Sequence, residues 1–335
     1  MSYEELMLRA ITKAEKFKYA AKPNPVVGAI IAKDGEIISE GYHEIYGENH
    51  AEINAIEAAK NHIGKKFKDF SDLTIISTLE PCSHVGKTGS CASFIAKSGF
   101  KRVIIGAIDP NPKVAGRGIK ILNDNNIQVE YGLFQDLVEK QNKFFFYKHK
   151  NHKPYITVKI ASSFDGKSHF DNQTVLITNE SSRNDVQTIR ANHDAILTGG
   201  NTLRNDDPRM DARVNFYVNQ PKKILLTSKA YNSKSSFFKD ADVDIFKIKD
   251  LNKIIDSYRD TEICSILVEA GPKLANAFLK AGIVDELIIY TSEKKLGEKG
   301  INWFIEDNAI ENYGFKLESS YKIEDDLKEI FKKNE

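Results

Sequence analysis

Two segments of this chain combine residue types and spacings suited to metal chemistry: His50-Ala-Glu52, and Cys82 with Cys91 nine positions further on. One imidazole and two thiolates make three ligands for zinc. Three protein ligands leave the fourth tetrahedral position open, as a catalytic rather than a structural site requires. Glu52, two residues beyond the histidine, is placed to take a proton from water and return it to a leaving amine, a general acid/base role. A closed structural site would need a fourth protein ligand; His84 could supply it, although as Cys82-x-His84 it sits awkwardly close to its neighbour. The only other cysteine is Cys264, and an odd total of three is too few to staple a chain of this length.

These residues need elements to hold them. Tyr3, Leu6, Met7, Ala10, Ile11, Ala14 and Phe17 mark an amphipathic helix ended by Pro23-Asn-Pro25. Val26 to Ala32 reads as a buried strand, Asp34-Gly35 as a two-residue hairpin turn and Glu36 to Gly41 as the returning strand. A helix over Ala51 to Lys60 then begins near His50, and a strand from Leu73 to Thr78 precedes Pro81-Cys82. Further units follow: helix Ala92 to Ser98, strand Arg102 to Ala107, helix Gly118 to Asn123 and strand Ile127 to Tyr131. The order predicts an α/β sandwich.

Lys140 to Lys153 is basic and aromatic, with Phe144, Phe145 and Phe146 in sequence; it reads as a helix end packing phenylalanines, followed by a solvated linker, and marks a domain boundary. The expected domains are 1–147 and 152–335. Beyond the boundary come a strand over Pro154 to Ala161, a turn at Asp165-Gly166 and a helix over Ser182 to Ala191 with Val186 and Ile189 inward. Strands follow at Ala195 to Thr198, Lys223 to Thr227, Val243 to Ile248 and Cys264 to Glu269, then a helix over Lys273 to Lys280 and a strand over Val284 to Tyr290. This is a second α/β domain. Several of its strand ends meet glycine or small polar residues, where backbone amides can approach a phosphate. There is no G-x-G-x-x-G dinucleotide fingerprint.

At 335 residues, 41% hydrophobic and 28% charged, the chain has material for two cores. Lys+Arg 48 against Asp+Glu 47 gives a formal net charge of +1, so no global field favours nucleic acid. No stretch reaches the roughly 18 uncharged apolar residues of a membrane span, and the acidic start, Met1-Ser-Tyr-Glu-Glu-Leu, reads as that of a cytoplasmic chain.

His50-x-Glu52 with Pro81-Cys82 resembles the signature of zinc-dependent nucleobase deaminases. The long interval in Pro81-Cys-Ser-His-Val-Gly-Lys-Thr-Gly-Ser-Cys91 is similar to one branch, the bifunctional deaminase/reductases of riboflavin biosynthesis. Pro23-Asn-Pro-Val-Val-Gly28, Glu40-Gly-Tyr-His43 and Asp109-Pro-Asn-Pro-Lys-Val-Ala-Gly-Arg-Gly118 strengthen that resemblance, as do Val158 to Lys167, Asn205-Asp-Asp-Pro208 and Val268-Glu-Ala-Gly-Pro272 in the second half. Two departures are visible: Gly89-Ser90 replaces the family's Pro-Pro, and Thr174-Val-Leu-Ile-Thr178 lacks its tryptophan, leaving Leu176 there.

The resemblance implies a cytidine-deaminase-like α/β/α sandwich followed by a dihydrofolate-reductase-like α/β domain, with one Zn2+ and NADPH as cofactors. It implies NADPH contacts from Ala161, Thr202, Asp206, Ser228 and the run Gly271, Pro272, Lys273, Leu274, Ala275, Asn276 and Ala277. Phosphoribosyl pyrimidine substrates would meet Asn24, His84 and Lys87 in the first domain and Thr174, Arg190, Met210, Arg213 and Glu269 in the second, where two guanidiniums suit a phosphate. Asn24, held between prolines, could offer a ring edge a paired donor and acceptor, although the same residues make an ordinary turn. The implied reactions are hydrolytic deamination of a diaminopyrimidinone ribosylamino phosphate, then reduction of its ribosyl group, in a homo-oligomer. A nucleoside or tRNA-base deaminase with an unrelated second domain is the rival within that chemistry, and a structural zinc module fused to a nucleotide sensor is the rival outside it.

Overall fold

Ser2 starts the first helix with a capping box: its hydroxyl accepts from the Glu5 amide, and the Glu5 carboxylate accepts from the Ser2 amide at 2.7 Å. The helix runs Tyr3–Ala14 and buries Leu6, Met7, Ala10 and Ile11. The computed structural model describes residues 1–63, 70–83, 89–170, 175–247, 250–304 and 310–334. They form two units, Met1–Asn151 and His152–Glu335.

In the first unit, β1 (Gly28–Lys33), β2 (Glu36–Tyr42), β3 (Thr74–Leu79), β4 (Arg102–Ala107) and β5 (Gln128–Tyr131) form one sheet in the order β2-β1-β3-β4-β5. The β1–β2 turn places Asp34 and Gly35 at φ 49° and 82°, both left-handed, as a primed two-residue turn requires. β1 is antiparallel to β2 and β3, whereas β3, β4 and β5 run parallel. Alternate residues serve opposite faces: Ala29 and Ile31 pack under the helices Ala51–Ile63, Cys91–Lys97 and Arg117–Asp124, and Ile30 and Ala32 under Tyr3–Ala14 and Gln135–Gln141. The result is a three-layer α/β/α sandwich.

Two expectations shift here. β1 starts at Gly28 rather than Val26, because the Asn142 side-chain amide takes both Val26 backbone groups, accepting from its N–H at 2.7 Å and donating to its carbonyl at 3.1 Å. The stretch expected to be a solvated linker is helical as far as Asn151, with Phe145 and Phe146 packed on the core and Lys148 buried.

The second unit carries β6 (Tyr155–Ser162), β7 (Lys167–Phe170), β8 (Ala195–Gly199), β9 (Lys222–Leu226), β10 (Val243–Phe246), β11 (Ser265–Val268), β12 (Glu286–Thr291), β13 (Gly300–Asn302), β14 (Phe315–Ile323) and β15 (Asp326–Lys333). Eight form one sheet in the order β10-β9-β8-β11-β6-β12-β15-β14, and β13 pairs with β7. β10 through β12 in that order run parallel, and β15 and β14 complete the sheet antiparallel. Asn179 caps the helix Glu180–Asn192, with Val186 and Ile189 inward as expected. The closing hairpin β14–β15 escapes sequence reading because β14 exposes residues on both faces, so no apolar alternation marks it. Ile248, expected to end a strand, lies outside the described residues.

Gly41 in β2 lies against the helix that follows His50; a Cβ there would meet the Ala55 nitrogen at 2.1 Å and the Ala51 oxygen at 2.3 Å. Gly41→Ala should therefore destabilise the protein by about 1–3 kcal/mol through overpacking, seen as a lower unfolding midpoint by circular dichroism. An unchanged midpoint would contradict this contact.

Candidate active sites

The first site is assembled from helix starts and the end of β3. His50 immediately precedes the helix Ala51–Ile63 and accepts the Asn54 amide on its carbonyl. Cys82 follows β3, and Cys91 opens the helix Cys91–Lys97, whose cap Ser90 donates its hydroxyl to the Cys82 carbonyl at 2.9 Å. The Cys91 and Ala92 amides also turn toward Cys82, one to its sulfur at 3.3 Å and the other to its carbonyl at 3.1 Å. Donors from Ser90, Cys91 and Ala92 thus gather on Cys82.

The His50 Nδ1 lies 3.3 Å from Cys91 Sγ and 3.7 Å from Cys82 Sγ. All three ligand atoms fall within 4.8 Å of one another. Bonds of about 2.0–2.3 Å around a tetrahedral zinc put neighbouring ligand atoms about 3.5–3.8 Å apart, so this donor set fits zinc in both chemistry and spacing. The hydrogen bond from the Cys91 side chain, helped by His50 and the Cys91 amide, holds the Cys82 thiol down to about 4 against the opposing effect of burial. Cys91 is pushed up by that neighbour and by burial. Glu52 is fully buried beside the cluster, and burial raises its carboxyl to about 6 despite the charge of His50.

His43, which the sequence motif contained without a role, connects this cluster to Asn24. Its Nδ1 faces the Asn49 carbonyl at 3.0 Å, which fixes the proton there, so its Nε2 accepts from the Asn24 amide at 3.1 Å. Burial lowers its pKa and keeps it neutral, and its ring meets His50 edge-on at 5.4 Å. Asn24 is thereby oriented by a chain of two hydrogen bonds. Asp109 is also buried, and its carboxyl rises to about 7, mainly through burial, with Glu80, Cys82 and Glu52 adding repulsion. His84 and Lys87 lie outside the described residues.

The second unit holds a cavity of about 1350 Å³ that reaches across the carboxyl ends of β6, β8, β9 and β11. Ala161, Thr202, Asp206, Ser228, Gly271, Pro272, Lys273, Leu274 and Ala277 line it, together with Met210 and Glu269. Ala275 and Asn276 do not. The helix Pro272–Lys280 turns about 100° per residue, so Ala275 enters the core and the Asn276 amide donates to the Pro272 and Trp303 carbonyls. Leu176 is exposed, and the neighbouring Val175 lines the cavity. Thr174 lies outside the described residues.

Arg190 and Arg213 are also absent from the lining. Arg190 is buried with its donors committed inside the protein: Nε and Nη2 reach the two Glu269 oxygens at 2.5 and 3.0 Å, and Nη1 donates to the Asp211 carbonyl at 3.3 Å. Arg213 is half exposed and pairs with Asp211 at 2.5 Å. Burial alone would raise Glu269, but the charges of Arg190 and of Lys159, at 3.1 Å, together outweigh it and hold the carboxylate well below its ordinary range. Sequence reading missed Lys159, Arg204 and Lys247, which line the cavity; isolated basic residues carry no pattern that marks them in sequence.

Comparison with known proteins gives these two sites a common context. Residues 1–107 match the model of the cytidine and deoxycytidylate deaminase zinc-binding region, and residues 154–328 that of the RibD C-terminal domain. The chain is 36% identical over 334 residues to the riboflavin biosynthesis protein RibD of Escherichia coli, covering 89% of each chain. The chain belongs to the RibD family. RibD of Aquifex aeolicus is 33% identical over 317 residues, covering 87% of each chain. Among solved structures, RibD of Acinetobacter baumannii superposes with a TM-score of 0.88 at 32% identity over 98% of each chain. A diaminohydroxyphosphoribosylaminopyrimidine deaminase/5-amino-6-(5-phosphoribosylamino)uracil reductase from Thermotoga maritima does so at 0.84 and 30% over 99% of each. The α/β units match those RibD folds in order and extent.

Glu269→Leu leaves the buried Arg190 and the half-buried Lys159 without this counter-charge and should cost about 3–5 kcal/mol. Because the folded pKa of Glu269 lies below its ordinary 4.5, its stabilisation is complete above that value and fades as pH falls below it. Trp303, the single tryptophan, is buried in this unit and reports its unfolding by fluorescence. The parent should lose stability below about pH 4.5 more steeply than the variant; equal slopes would remove Glu269 as the cause.

Proposed function

We propose that this chain carries out two consecutive steps of riboflavin biosynthesis. Residues 1–147 would deaminate 2,5-diamino-6-ribosylamino-4(3H)-pyrimidinone 5′-phosphate, and residues 152–335 would reduce the ribosyl group of the product to ribityl. The observation that carries this reading is the convergence of His50, Cys82 and Cys91 on one point beside the buried Glu52, in a chain whose second unit carries the RibD reductase fold. Zinc bound by those three residues would supply Lewis-acid activation of water. Glu52, with a carboxyl near 6, sits close enough to neutrality to accept a proton from the attacking water and deliver it to the departing 2-amino nitrogen, which leaves as ammonia. Asn24, held by His43, would present its amide to the ring edge.

In the second unit the cavity spans the ends of several adjacent parallel strands, and at about 4.8 Å per strand its width suits an extended dinucleotide. NADPH supplies the hydride; the chain supplies binding and charge. Thr227 and Lys247 are level, since Phe246 pairs with Leu226 and the Thr227 amide donates to the Phe246 carbonyl. Lys247, Lys229 and Ser228 therefore cluster at one end of the cavity, a suitable grip for a 2′-phosphate. β14, at the edge of its sheet, exposes Leu317 and Tyr321, and this open edge supports a homo-oligomer. We place that assembly in the cytoplasm.

Glu52→Gln should keep its zinc and lose ammonia release by at least about a hundredfold, while NADPH oxidation with the deaminated substrate continues; general acid–base catalysis contributes that much. Deamination within tenfold of the parent would remove Glu52 from the role. Lys247→Ala should raise the KM for NADPH by about tenfold and leave that for NADH nearly unchanged, as loss of one charge-assisted phosphate contact implies. Equal effects on both cofactors would place the 2′-phosphate elsewhere.

A further inference from the structure

Glu80 lies between β3 and the Pro81-Cys82 pair and is buried, yet neither the zinc ligands nor the proton shuttle uses it. Its two oxygens are fully engaged by backbone. Oε1 accepts the Gly118 and Ile119 amides at 2.9 and 3.2 Å; Oε2 accepts the Gly116 and Asp109 amides at 2.9 and 3.3 Å. Four backbone donors spread from 109 to 119 are thus gathered on one carboxylate two residues before a zinc ligand. The same segment is held at two other points: Gly118 approaches so closely that a Cβ would lie 2.0 Å from the Pro81 oxygen, and the Ser83 hydroxyl donates to the Lys113 carbonyl at 3.0 Å.

Cys82 is therefore flanked on both sides by residues that hold this segment. What they hold is the turn made by Asp109 and Asn111, in which the Asn111 amide donates to Asp109 Oδ1 at 2.8 Å. Leu79 pairs with Ala107 across β3 and β4, and the Asp109 amide reaches Glu80, so this buried turn lies beside Pro81-Cys82 at the carboxyl ends of the two strands. A side chain used only to fill space there would not need two lone pairs on each oxygen. The two side-chain oxygens accept from all four amides, whereas an amide side chain of the same shape would set its NH2 against two of them.

We propose that Glu80 is a positioning residue of the deamination site: by gathering these four amides it sets the Asp109–Asn111 turn against the bound pyrimidine and so governs substrate affinity, leaving zinc affinity to His50, Cys82 and Cys91. This rests on the deaminase reading above. A packing role alone would lower stability and zinc content together; a positioning role separates them from KM.

The experiment compares the full-length parent with Glu80→Gln and with the milder Ser83→Ala, which removes one tie from the other side of Cys82 and leaves all ligands in place. For each, zinc per chain is measured by elemental analysis, the thermal midpoint is recorded, and KM and kcat are determined for ammonia release from the diaminopyrimidinone phosphate. Glu80→Gln should raise KM by about tenfold or more and Ser83→Ala by about threefold, as loss of several or one buried hydrogen bond implies, with smaller changes in kcat and zinc retained. The reductase half-reaction should stay at the parental rate in both. Zinc lost in step with activity, or KM within twofold of the parent in both variants, overturns the proposal. A parent that binds zinc but releases no ammonia from this substrate would instead overturn the deaminase reading, and this inference with it.

Discussion

Charge taken out of water must be met by fixed donors, and both sites of this chain are organised around that demand. Cys82 meets it with the Cys91 amide and side chain and with His50. Glu80 meets it with four backbone amides, and Glu269 with one guanidinium and one ammonium. In each case the charged group stands just past the carboxyl end of a strand, where the sheet ends and backbone amides from the following loop or helix become available. The sheets supply the rigidity; the donors at their ends supply the chemistry.

The same demand explains how Glu52 differs from the others. It is buried without comparable donors, and burial raises its carboxyl to about 6. A group that exchanges a proton during turnover benefits from that balance, whereas Glu80 and Glu269, fixed by several donors each, are suited to holding structure. The contrast among three buried glutamates in one chain sets the candidate proton carrier apart from two that are held by several donors each.

Family membership and geometry support each other most closely in the first unit, where the three ligands come together at zinc spacing. In the second unit, geometry refines the expectation. Arg190 turns its guanidinium to Glu269 and the Asp211 carbonyl and does not line the cavity, whereas Lys159, Arg204, Lys229, Lys247 and Lys273 do. Ala275 and Asn276 turn away from it because a helix cannot present seven consecutive residues to one side.

The sequence by itself marked the candidate zinc ligands and Glu52, which the fold brings together, as well as the hairpin at Asp34-Gly35 and most strands of both sheets, because these depend on residue type, short spacing and periodicity. It also carried the family, through ordered motifs spread over nearly the whole chain. Tertiary structure alone decided that His43 orients Asn24, that Asn142 delays the start of β1, that Glu80 gathers residues 109 to 119 and that Lys247 reaches the cavity beside Ser228. The β14–β15 hairpin belongs with these, since β14 shows no alternation and the hairpin gains its place through the pairing of β15 with β12. The physical reason is the same throughout: a hydrogen bond or ion pair between residues far apart in sequence leaves no local pattern, and only folding brings its two ends within reach.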